Sequence, residues 1–179
     1  MNPDPKPTAT SWKARWLRRI WRLAATGIAL LLLIGIADFF YFRASVPLNF
    51  YDANWTGRWK TEDVGWIRGR LLVKLPDPLP ENESFYAQAL VYYPIYSVYR
   101  TGQFVPMDFE AEYSPNKASS SGAAETPLAL PGGKLKFKGM AGRQVVDYIA
   151  IFSDDQRRII GCYESDSPYD YGHFVLNKQ

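Results

Sequence analysis

The chain has 179 residues, 47% of them hydrophobic and 16% aromatic, with a formal net charge of +3, one cysteine and one histidine. One cysteine excludes an internal disulfide, and a single cysteine with a single histidine is too small a ligand set for a structural zinc site. The positive charge sits at one end: residues 44–179 carry fourteen Lys and Arg against sixteen Asp and Glu, a balance of −2, which offers no basic face to a nucleic-acid polymer.

The chain opens on "MNPDPKPTATS", Pro-rich and polar, and residues 1–19 read as a disordered, basic, cytoplasmic segment. Leu23 to Phe42 is an apolar run of twenty residues interrupted only by Thr26 and Asp38. At about 1.5 Å per residue such a run matches the ~30 Å of bilayer hydrocarbon, so residues 20–43 read as a transmembrane anchor. The run ends in Phe39, Phe40, Tyr41 and Phe42. That is an aromatic belt, where a cleaved signal would end in small residues.

Lys6, Lys13, Arg15, Arg18, Arg19 and Arg22 precede the run and Arg43 alone follows it. This bias keeps the N-terminus cytoplasmic and puts the rest of the chain outside; in a bacterium that is the inner membrane with a periplasmic domain. Trp12, Trp16 and Trp21 lie among the bases, suited to headgroup depth. Asp38 has two readings: a carboxylate near the outer interface that reaches water, or a polar contact for helix association. Ala25, Ala29 and Gly35 are small but form no G-x-x-x-G pair.

Residues 44–53 read as a connector and 54–179 as an all-β domain. In "WIRGRLLVKL", Ile67, Leu71, Val73 and Leu75 oppose Arg68, Arg70 and Lys74. In "MDFEAEY", Met107, Phe109, Ala111 and Tyr113 oppose Asp108, Glu110 and Glu112. In "KLKFK", Leu135 and Phe137 oppose Lys134, Lys136 and Lys138. Alternation with period two predicts half-buried antiparallel strands. "SFYAQALVYY" predicts a strand ended or bulged by Pro94, and "IYSVYR", "TGQ", "FVPMDFEAEY" two strands around a turn. Residues 114–133 read as a mobile loop of small residues. "VVDYIAIF", "SDDQ", "RIIGCY" is the clearest hairpin, with Cys162 expected as a buried thiol, and "GHFVLNK" is the last strand. About eight strands joined by hairpins predict an antiparallel β-barrel in meander order, with a β-sandwich as the alternative.

The first strand carries "WTGRWK", and Gly57-x-Trp59 there resembles the lipocalin and avidin-like (calycin) barrels. The closing segment "IIGCYESDSPYDYGHFVLNK" resembles the end of such barrels. The resemblance implies that Trp59 plugs one end of the barrel and that Gly57 permits close packing. One family joins membrane helices to such a barrel, the effectors of bacterial anti-phage defence, whose barrel binds a cyclic oligonucleotide and drives helix assembly. This chain has one span where those have two.

No catalytic set, metal site or cofactor is predicted. His173 is the lone histidine, in the last strand, and reads as structural or exposed. Glu164, Asp166 and Asp170, beside Tyr163, Tyr169 and Tyr171, read as turn chemistry, with an ion or sugar site as the alternative. Asp108, Glu110 and Glu112 read as a solvated face; a carboxylate-based enzyme acting on glycans would need them buried. Tyr86, Tyr92, Tyr93, Tyr96 and Tyr99 are concentrated in one segment, and aromatics with a polar tip suit ligand clefts and interfaces. They are the candidate binding residues. The function expected is non-catalytic: a membrane-anchored barrel that binds a small ligand or an envelope protein, with a homo-oligomer among its possible partners; the alternatives are an effector whose barrel binds a cyclic oligonucleotide and drives helix assembly, and a carboxylate-based enzyme acting on glycans.

Overall fold

The computed structural model describes residues 9–62, 68–97, 100–115, 132–141, 144–153, 155–166 and 171–179. Tyr99, Ile67, Tyr169, Asp170 and most of the loop expected at 114–133 lie outside the described residues. The chain forms two compact units, Met1–Tyr41 and Phe42–Gln179.

The first unit belongs to α1, Ala9–Ser45. Residues 14–45 are long and apolar enough to cross a membrane. The helix starts earlier than composition suggested: residues 9–19, expected to be disordered, are helical. The last proline before the run is Pro7, and beyond it come Ala, Lys, Arg and Leu, all good helix formers. Asp38 lies on this helix.

The second unit is a closed barrel of eight antiparallel strands in sequence order: β1 Trp55–Thr61, β2 Arg68–Lys74, β3 Ser84–Tyr92, β4 Phe104–Ser114, β5 Lys134–Ala141, β6 Gln144–Phe152, β7 Arg158–Ser165 and β8 Tyr171–Lys178. β1 pairs with β8 from Trp55 opposite Lys178 to Thr61 opposite Gly172. That pairing closes the sheet and removes its edges, so the sandwich alternative is excluded. The described part of "IYSVYR", Ile95 to Ser97 and Arg100, is turn and not the strand expected. Pro94 opens a turn closed by the Ser97 N–H on the Pro94 carbonyl at 2.8 Å, and β3 pairs directly with β4.

The alternation seen in the sequence sorts inside from outside. Met107, Phe109, Ala111 and Tyr113 are buried along β4 while Asp108, Glu110 and Glu112 are exposed. Trp55 and Trp59 point inward from β1, Trp55 edge-on to Phe152 at 5.7 Å and Trp59 edge-on to Tyr93 at 5.0 Å. Gly57 is required where it stands: a β-carbon there would lie 1.9 Å from the Val175 carbonyl oxygen. A cavity of about 30 Å³ lies inside the barrel, lined by side chains such as Val73, Ala87, Met107, Leu135 and Phe174.

A second apolar cluster lies outside the barrel. Leu72 and Leu90 face outward from β2 and β3, and the connector covers them with Phe50 and Ala53. Phe42 packs on Tyr92 and Phe104 at 5.0 and 5.8 Å. Lys74 reaches over the Phe50 ring and pairs with Asp52, whose carboxyl that bond holds below its ordinary value. The Asn54 side-chain amide donates to the Leu75 carbonyl at 2.7 Å, and its oxygen accepts from the Leu75 N–H at 3.0 Å. The connector is therefore part of the folded domain.

Candidate functional site on the outer wall of the barrel

The barrel distributes the candidate tyrosines; it does not gather them into a cleft. Tyr92 is fully buried beneath Phe42 on the outer wall. Tyr93 turns the other way, against Trp59, with the Arg100 guanidinium 5.8 Å from its ring. Tyr96 is exposed in the turn after β3. Tyr86 stands on the outer face of β3 at 83% exposure, beside an open recess that it lines with Lys74, Pro76, Gln88 and Asp108. Gln88 donates to the Asp108 carboxylate at 3.0 Å. Adjacent residues of a strand face opposite ways, so Tyr92 and Tyr93 cannot share a site.

The lumen holds only a small cavity. Clefts for small molecules commonly hold several hundred Å³, against the roughly 30 Å³ found here. Trp59 is buried, its indole lying against Gly69, where no β-carbon would fit. Its ring N–H is buried without a hydrogen-bond partner among the described residues. Tyr113 seals the other end. Its phenol donates to the Gly132 carbonyl at 3.1 Å, and burial, followed by the nearby Glu81 charge, pushes its pKa up.

The candidate carboxylates of the barrel stay on the surface. Asp108, Glu110, Glu112, Glu164 and Asp166 are all exposed. No cluster of three metal-ligating side chains occurs among the described residues. His173 is half-exposed on β8, with Nδ1 2.9 Å from the Glu62 carboxylate. Lys134, Lys136 and Lys138 line the outer face of β5, and Lys138 lies 3.7 Å from Asp147.

The surface that sequence reasoning missed lies on β6, β7 and β8. Ile149 and Ile160 are 45% and 50% exposed on the outer wall. Ile151 faces Ile160 across the β6–β7 pair, and Ile160 faces Val175 across the β7–β8 pair. Cys162 belongs to the same wall: it is exposed, not the buried thiol expected, because Ile159 and Gly161 take the inward positions of β7. A signal was present. "VVDYIAIF" and "RRIIGCY" place apolar residues on both phases of the alternation, so one set must face outward. The opposite wall, with Leu72 and Leu90, is covered by the chain's own connector. No known protein family, curated protein or solved structure matches this chain.

Proposed function

We propose that this chain is a membrane-tethered, non-catalytic binding protein, and that it recognises a protein through the outer wall of β6–β8. α1 is the anchor, with the N-terminus cytoplasmic and the barrel outside; in a bacterium it belongs to the inner membrane, facing the periplasm. The arrangement is similar to a calycin barrel on a tether, but its recognition surface lies on the outside. One observation carries this reading. The molecule has two outward aliphatic patches and covers only one of them, leaving Ile149 and Ile160 about half exposed among the described residues. Contiguous apolar surface of this kind marks interaction sites, and a nearly filled lumen favours a protein over a small ligand.

The test is a photo-crosslinking amino acid at Ile160 in the full-length protein, irradiated in native membranes. A discrete protein adduct is expected there and not with the same probe at Tyr51 on the connector. Absence of an adduct at Ile160, or the same pattern at both positions, counts against the reading.

A further inference from the structure

Two walls of the barrel carry matching patterns. On the open wall, one rung of the sheet runs Lys134, Ile151, Ile160, Val175, Arg58 from β5 round to β1. The next rung runs Lys136, Ile149, Cys162, His173, Lys60. Across these two rungs an apolar strip is framed by cations on both flanks, and the adjoining rung carries Lys138, Asp147, Glu164 and Tyr171. On the β1 flank Arg58 stands opposite Arg70, whose guanidinium lies 4.5 Å from the Phe42 ring, and Lys60 stands opposite Arg68. Like charges directly across a strand pair repel, and an anion laid over them relieves the repulsion.

The complement is on the same chain. Tyr86 projects from β3 at 83% exposure, directly opposite Glu110 on β4. Asp108 and Glu112 flank Glu110 on the same exposed face, with Lys138 and Lys136 on the β5 side of Glu110 and Glu112. Tyr86 and Glu110 lie on neighbouring strands, as do Val175 and Arg58, so the two members of each pair are about 4.8 Å apart. Along each strand the charges recur at every second residue, about 6.8 Å apart. β3 and β7 are half a circuit apart in the closed barrel, so one molecule cannot bring these walls together.

We infer that the open wall receives a second copy of this chain, which lays Tyr86 over Ile160 and Val175 and sets its β4 carboxylates along Arg58 and Lys60. The two walls differ, so the contact is head-to-tail, and each copy uses both. Such contacts build rings or open chains, not closed dimers. A symmetric pairing of two open walls about an axis along the barrel would instead bring Lys134 and Lys136 against Arg58 and Lys60. This inference rests on the reading of the strip as a protein-binding surface.

The strip contains the chain's one cysteine, Cys162, which makes the contact testable. Ser84 is exposed on the same face as Tyr86. The full chain carrying Ser84→Cys, kept in its membrane and treated with a short bismaleimide, is expected to give a ladder of dimer, trimer and higher species. The ladder disappears in S84C/C162S. Adding R58E/K60E weakens it at least tenfold, and further adding D108K/E110K restores it, which separates lost contact from lost folding.

A ladder indifferent to these charges overturns the inference. So does a dimer formed through Cys162 without the Ser84→Cys change, because that is the symmetric pairing. A chain that stays monomeric while Ile160 crosslinks to a different protein sinks the second-copy contact and leaves the protein-binding reading standing. A monomer with no adduct at Ile160 sinks both.

Discussion

Trp59 and Tyr113 show how single side chains hold the two ends of the lumen. Trp59 is 7% exposed and packs on Gly69 and Tyr93. Trp59→Ala is expected to cost about 3–5 kcal/mol in denaturant unfolding, the usual range for a large core aromatic; a loss near zero would remove it as the plug. Tyr113 adds a pH dependence. Its folded pKa is raised above the ordinary 10.0, by burial first and then by the Glu81 charge. Its stabilisation is therefore fully present below the unfolded value and lost as pH rises through the higher folded one. In a spectrophotometric titration Tyr113 should ionise after the exposed tyrosines, and Tyr113→Phe should delete that late step. The burial of Trp59 is legible in the sequence because Gly57-x-Trp59 is a local pattern. The role of Tyr113 is not, because its partner Gly132 is nineteen residues away.

At the scale of elements, the connector behaves as part of the barrel. Phe50 is 4% exposed over Leu72 and Leu90. Phe50→Ala is expected to destabilise the domain by roughly 3 kcal/mol. A barrel beginning at Asn54 should bare Leu72, Leu90, Tyr92 and Phe104 and melt at a lower temperature by circular dichroism than the chain from Phe42. Equal behaviour of the two fragments would show that the cover is dispensable. β4 was legible from its alternation because one face is charged. β6 and β7 were legible as a hairpin but not in orientation, because both of their faces are apolar. The start of "IYSVYR", Ile95 to Ser97, misled because aromatic and β-branched residues favour strands generally, whereas the turn at Pro94 decides locally.

For the whole molecule, the side of the membrane decides between functions. Cys162 is exposed and is the single cysteine, so a membrane-impermeant maleimide reports where the barrel lies. Labelling in intact cells (spheroplasts, where an outer membrane intervenes) is expected, as the basic N-terminal flank requires. Protection until the membrane is permeabilised would place the barrel inside and bring the cyclic-oligonucleotide effector reading to the front. The sequence by itself determined the apolar helix, the strand content and the meander order, because these follow from hydropathy period and turn chemistry within short windows. Only the tertiary structure decided barrel over sandwich, the outward thiol of Cys162, the scattering of the tyrosines and the open strip on β6–β8. Those depend on closing β1 against β8, and on which of two apolar phases the lumen has room to take.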